Sequence, residues 1–579
     1  MRKQIQIILT GVFLLSISFC FSQRTQNDTI NTGVIDVVTP YTPTISDAFK
    51  VKEIPSLDDE TTETKKDIKY NIFSFPVAST FTPAKGKAAI VEKRAPVKLF
   101  DNYATLGVGT YTTILGEVYL NHALSRNENI GGYISHHSSA GGIENVLLDN
   151  NFSDSKIHVN YASRLRDLTW NIEAGFQHQI YNWYGLPENY ANNQGLVNRL
   201  DVAHNFYNAH FGGDITFEDT YIKSGSVLFR RFGDDQGSGE NRFVTKAKVD
   251  VPIRDIEIST DVKIDYLGGS FDRNYTTTDA LNYGNFQIGL LPTYQLKQDD
   301  LTLNLGVSLY YSNDRASGDN NIYFYPNIKA TYRLVNDVLI AYGGIKGDLI
   351  QNSYYDFANE NPFVSPTLFI TPTDQLYNAY VGLKGKLSSR IGYNVSGRYI
   401  ADKNKALFRN NLTTFDLLGA EDYEYGNSFG MVYDDLKTFV VAGEINVDVN
   451  RNFKLGLKAE YFSYNTDTQA EAWNLPDIKG SLFLDYQIDN NWFAGANLFY
   501  VGERKDLLSV NDAIMGIQSM TVSIDGFLDA NAHVGYHIND QLSVFAKANN
   551  LADNTYQQWQ NFPVQSIQFL AGATYKFDF

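Results

Sequence analysis

The sequence predicts an all-β fold, a transmembrane antiparallel β-barrel of about 22 strands with a short extended N-terminal periplasmic segment. Three observations carry this. Runs of about 10 to 13 residues alternate apolar and polar side chains from about residue 101 to Phe579. Short polar turns alternate with longer loops along the same stretch. Past residue 22 no run of 18 apolar residues occurs, so any passage through a membrane is made by strands, whose backbone groups pair with one another.

Composition agrees with a two-faced strand. The 579 residues include 38 Tyr, 37 Phe and 5 Trp, yet mean hydropathy is only −0.28. Strands showing one face to lipid and the other to water average out in this way, and tyrosine suits an interface because its ring is apolar and its tip polar. The net charge of −17 argues against a nucleic-acid partner.

Residues 1–22 read as a signal peptide: Arg2 and Lys3 precede an apolar run from Ile5 to Phe21, with small residues Cys20 and Ser22 before Gln23. Acylation at Cys20 is the competing reading, opposed by bulky Phe19 directly before it. Cys20 is the only cysteine, so a mature chain starting at Gln23 has neither a disulfide nor a thiolate metal site. Residues 23–100 hold six prolines, an acidic run at Asp58–Glu60 and short apolar clusters without a sustained period. Such a segment buries no core of its own and is expected to lie extended in the periplasm or lumen. Tyr41, Phe73 and Phe75 are its candidate partner-contacting residues.

From 101 to 579 the alternation defines the strands. Leu168, Trp170, Ile172, Ala174 and Phe176 share one face, as do Ile322, Phe324, Ile328, Ala330 and Tyr332, and Phe453, Leu455, Leu457, Ala459 and Tyr461. Rising strands are expected to start near 102, 129, 168, 221, 256, 301, 338, 391, 453, 492 and 542, and descending ones near 114, 155, 202, 240, 284, 322, 376, 436, 478, 526 and 567. The even count leaves both ends on the periplasmic side, with long loops outside, notably 181–199, 350–375, 404–435, 505–525 and 551–566. A secreted β-repeat protein would not impose that strict alternation.

The stretch Ser543–Tyr556, SVFAKANNLADNTY, is followed by an aromatic-bearing loop and a closing strand FLAGATYKFDF. This end resembles that of the TonB-dependent receptors, of the Bacteroidota type. The resemblance implies a place in the outer membrane, contact with its lipid, a role in transport across it, and a terminal Phe579 read by the barrel-assembly machinery. The family's folded plug exceeds a hundred residues. Only about 78 residues lie between the expected signal peptide and the first strand here, so a conventional plug is not expected. Val34–Val38, VIDVV, faintly resembles a TonB box. Whether TonB is a partner stays open, and a periplasmic or surface lipoprotein is a further candidate. The second reading is a non-conducting structural subunit of an outer-membrane assembly, secretion or uptake complex.

No nucleophile elbow, His-Glu-x-x-His or phosphate loop occurs, so neither enzymatic activity nor a cofactor is expected. By strand parity His137, His158, His204, His210, His533 and His537 face the lumen, and His122, His136 and His178 face outward. A metal or haem ligand set is one reading of the inward group; solvated hydrogen-bonding residues, with no metal, are the favoured one. The acidic clusters Asp234-Asp235 with Glu240, and Glu421-Asp422 with Glu424, are likewise weighed as calcium ligands against solvated loop acids, the latter favoured. Tyr181, Trp183, Tyr184 and Tyr190, and Tyr556, Trp559 and Phe562, are expected in an outer aromatic girdle, with sugar stacking as the alternative.

Overall fold

Twenty-two strands form one antiparallel sheet that closes on itself: the first, Asn102–Gly109, pairs with the last, Gln568–Phe577, from Asn102 opposite Phe577 to Gly109 opposite Leu570. The structure, a computed structural model, describes residues 100–579 apart from 191–192, 219, 255, 414–419, 513–515 and 554. The signal peptide, Cys20, Val34–Val38 and the segment 23–100 with Tyr41, Phe73 and Phe75 lie outside the described residues. At the seam Gly107 faces Gly572, where a side chain at Gly572 would strike the Leu106 carbonyl and the Phe545 ring. Thr105 and Thr574 exchange a hydroxyl hydrogen bond across the seam at 2.9 Å.

Each wall strand sorts its residues by parity. On Leu301–Asp314, Leu305, Val307 and Tyr311 are exposed toward lipid, while Ser308, Tyr310 and Ser312 are buried on the lumen side. The outer belt continues around the wall through Phe176, Phe211, Phe324 and Val381, with Phe324 74% exposed. No helix among the described residues is long and apolar enough to cross a membrane. A closed wall with this belt is an outer-membrane barrel. Tight turns join the strands at the end where the first barrel strand starts and the last one finishes, and Asp299 and Asn336 there take positive φ of 48° and 43°, a conformation Asp and Asn tolerate.

Strand starts fall at or within a few residues of the expected positions, with one larger difference. The strand expected near 436 begins at Phe429 and runs 22 residues to Asn450, against a 20-residue partner, Ile391–Asn410. Asp402, Asn404 and Lys405 break the alternation there, because a bulge shifts the register between Asp402 and Lys405, with Asn404 at φ 57°. About 9 to 11 residues cross a bilayer, so this pair stands well clear of the membrane on the loop side. The loop expected at 505–525 contains a hairpin, Arg504–Asp512 with Gly516–Ile524, that lies outside the barrel sheet. It touches the loop that joins the long strand pair through the Thr413–Val510 bridge, and the Asn410 amide at the end of the pair donates to Asp506 at 3.0 Å.

The parity assignment predicts opposite outcomes for one charge on two faces of a strand. Val307→Arg should cost about 2–4 kcal/mol of barrel stability in lipid. Asn304→Arg, on the lumen face, should cost little. Urea titration of liposome-folded protein, read by heat-modifiable migration, distinguishes them.

Candidate functional site: a loop cap and the recess beneath it

The outer loops fold inward and share one aromatic core. Trp183, Tyr184, Tyr354, Phe357, Phe363, Val364, Leu368, Tyr423, Trp559 and Phe562, all from loops, are buried together with wall residues Phe206, Phe232, Phe271 and Phe429. Trp183 follows the fifth strand, Leu168–Asn182, and Val364 follows the thirteenth, Leu339–Ile350, yet the Trp183 Nε1–H donates to the Val364 carbonyl at 3.2 Å. Phe562, between the last two barrel strands, stacks on Phe363 at 4.0 Å and meets Tyr184 at 5.0 Å. Loops rooted in such distant sectors can meet only over the lumen. Each buried aromatic contributes on the order of 1.5–3 kcal/mol, so the cap has a core of its own.

The cap is tied to the wall by buried carboxylates. The loop helix Tyr354–Glu360 starts at Ser353, whose Oγ accepts from the Asp356 amide at 3.1 Å. Its first amide, on Tyr354, donates at 2.6 Å to Glu240, which also accepts from the Tyr283 hydroxyl at 2.8 Å. Asp234 accepts the Tyr354 hydroxyl at 2.6 Å and lies 3.2 Å from His204 Nε2. Arg242 grips Asp265 with two bonds of 3.0 and 2.9 Å and reaches Asp356 on the cap helix at 3.2 Å. Arg273 binds Glu421 and Glu424.

These contacts overturn two sequence readings. The carboxyls of Asp234, Glu240 and Glu424 are buried and bonded, and Glu421 pairs with Arg273, so these four are struts of the cap, while Asp235 stays exposed as a solvated loop acid. Trp183, Tyr184, Tyr190, Trp559 and Phe562 are buried in the cap, neither in a girdle nor free to stack on sugar. Sequence patterning gave no view of this because a loop's partners lie hundreds of residues away. The one local signal was Ser353-Tyr354-Tyr355-Asp356, a helix-start signature.

Beneath the cap helix a recess of about 450 Å³ opens on the lumen, lined by Asp154, Lys156, His158, Glu173, Arg230 and Tyr355 among others. His158 and His210 stack there at 5.8 Å, and His158 Nε2 lies 3.4 Å from Glu173 Oε2. The other lumen-side histidines stand apart: His137 meets Phe152 edge-on at 5.1 Å, His204 serves the cap anchor, and His533 and His537 flank Phe493. His136 bonds Ser155 and Ser138, His178 stacks on Tyr207, and His122 lies near Phe579. Phe579 itself is 78% exposed just beyond the last strand. A second recess, about 940 Å³, lies toward the periplasmic turns and carries both signs of charge, including Lys248, Asp261, Lys329 and Arg333.

Several cap carboxyls carry raised pKa values, Glu360 and Asp506 among them. Burial pushes Glu360 up to about 7, against the pull of Lys405 and Lys479, and Asp506 up to about 6. A carboxyl whose folded pKa exceeds its unfolded value binds its proton more tightly when folded, so its contribution is full at low pH and declines as pH rises from about 4 to about 7. Hydrogen exchange in loops 351–372 and 504–512, corrected for intrinsic rates, should therefore be faster at pH 8 than at pH 5, and the Glu360→Gln, Asp506→Asn pair should flatten the dependence. Glu240→Ala strands three donors, the Tyr283 hydroxyl and the Tyr354 and Tyr355 amides, each costing about 1–3 kcal/mol if left unpaired. It should raise proteolysis of 351–372 by about tenfold or more while the barrel keeps its heat-modifiable migration.

No protein-family profile matches the chain, and no curated protein does. Solved structures do. The pyoverdine outer-membrane receptor FpvA from Pseudomonas aeruginosa is 14% identical, with a TM-score of 0.60 over 84% of this chain and 80% of that one. The siderophore receptor PirA from Acinetobacter baumannii is 11% identical, with a TM-score of 0.60 over 82% and 80%. The copper transporter OprC is 13% identical, with a TM-score of 0.57 over 84% and 82%. The chain thus has the fold of the TonB-dependent outer-membrane receptors, a closed barrel of 22 strands.

Proposed function

We propose that this protein is a non-enzymatic, gated transport barrel of the outer membrane, resembling the TonB-dependent receptors and closed on the outside by its own loops. The observation that carries the reading is the aromatic core shared across the mouth by loops from distant sectors of the wall. A lumen with polar recesses above and below suits passage of a small polar solute, and a cap held by carboxylate hydrogen bonds can exchange them for bonds to an arriving ligand. The same loops offer a docking face to a surface lipoprotein, since Ile517 and Met520 project from the outer hairpin, exposed by 62% and 60%. TonB is the candidate source of a pull from the periplasm.

Planar-bilayer conductance separates transport from a scaffold role. Four forms are compared: the full chain, the chain without residues 23–100, the chain with 354–370 replaced by a short Gly-Ser linker, and the doubly trimmed chain. The full chain should be silent and the doubly trimmed form should conduct in large steps. Large steps from the untouched chain would refute the gate, and silence of the doubly trimmed form would favour the non-conducting structural subunit.

A further inference from the structure

We propose that His158, Glu173 and His210 form a binding site for one divalent transition-metal ion of the zinc or copper class, set in the lumen wall directly under the cap. The assignment does not depend on the transport reading, because it concerns binding alone.

The site is built by register. His158, Gly175 and His210 occupy one row on three adjacent strands, His158 opposite Gly175 and Gly175 opposite His210. Flanking strands lie about 10 Å apart across a middle one, too far for two imidazoles to meet over a side chain of any size. Glycine removes that obstacle. A Cβ at Gly175 would collide with the His210 ring, and without it the two rings lean together to 5.8 Å. Glu173, two residues earlier on the middle strand, points to the same face. One donor atom from each residue lies within 4.8 Å of the others.

The spacing suits a shared ion. An imidazole–carboxylate hydrogen bond closes to about 2.7–3.0 Å, whereas His158 Nε2 and Glu173 Oε2 stand 3.4 Å apart. Two ligands on a tetrahedral ion with bonds of about 2.0–2.2 Å are about 3.3–3.6 Å apart. His210 offers a ring nitrogen within 4.8 Å of the other two donors.

The donor set of two imidazoles and one carboxylate suits zinc, copper or nickel better than calcium or magnesium, which prefer oxygen. The neighbouring cations each have a partner outside the donor set. Arg230, next in the row after His210, lies over the Tyr355 ring at 3.7 Å, and Lys156 pairs with Asp154 at 2.8 Å. His158 and Glu173 keep 34% and 38% of their side chains exposed to the recess, so an ion can enter from the lumen, and water or a carried ligand can complete its shell.

The test is titration calorimetry of the full-length, tag-free protein in detergent with zinc chloride, with magnesium chloride as control. One zinc ion per chain should bind with micromolar affinity or tighter, and magnesium should not bind. His158→Ala, His210→Ala and Glu173→Gln should each weaken binding by at least about tenfold, while His537→Ala should leave it unchanged. Should a variant fail to fold, mass spectrometry of histidine modification by diethyl pyrocarbonate on the unaltered protein decides: zinc should protect His158 and His210 and not His537. Absence of zinc binding at millimolar concentration, binding unaltered in the three variants, or protection that does not single out His158 and His210 would overturn the proposal.

Discussion

Every backbone amide and carbonyl that enters the bilayer core must find a partner within the protein, and the rest of this structure depends on that requirement. It forces the strands to pair around a full circle until Asn102–Gly109 meets Gln568–Phe577. Closure with 22 strands makes a lumen wider than wall side chains alone can fill. An open hole of that size would pass solutes indiscriminately. The cap answers this by bringing loops from separate sectors into one core over the mouth.

The cap combines two kinds of interaction with different roles. Aromatic burial around Trp183, Tyr354 and Phe562 supplies cohesion without direction. The carboxylates supply direction: Glu240 aims at the start of the cap helix, Asp234 at the Tyr354 hydroxyl, and the Asp265–Arg242–Asp356 chain fixes the helix to the wall. A buried carboxylate that loses donors is costly, so Glu240 and Asp234 are fully satisfied only while the cap is seated and Tyr354 supplies its amide and hydroxyl. Seating and anchoring are therefore coupled, which suits a closure with two discrete states.

The recess under the cap inherits its chemistry from the same wall. Residues of one parity on the strands carrying His158, Glu173 and His210 face water, so polar and ionisable groups are admitted there at low cost, whereas the opposite face accepts only Val159, Ile172, Phe211 and their like. The cap helix closes this polar sector from above through Tyr355 and Asn359.

The barrel was legible in the sequence because strand parity is local: the faces of Ile322–Tyr332 or Phe453–Tyr461 show within a dozen residues, and lipid makes the apolar face unambiguous. The early start of Phe429–Asn450 was hidden where Asp402, Asn404 and Lys405 interrupt the pattern at a bulge. Of the candidate site, parity assigned His158 and His210 to a wall face, but nothing near them in the chain marked Gly175 as the gap across which they meet. The cap was read as a girdle and its acids as solvated, since Glu240 and Tyr354 are 114 residues apart. The sequence by itself determined the strands, their number and their two faces, because alternation against lipid is enforced residue by residue. Only the tertiary structure decided what the loops do, because barrel closure alone brings remote sectors together over a common lumen.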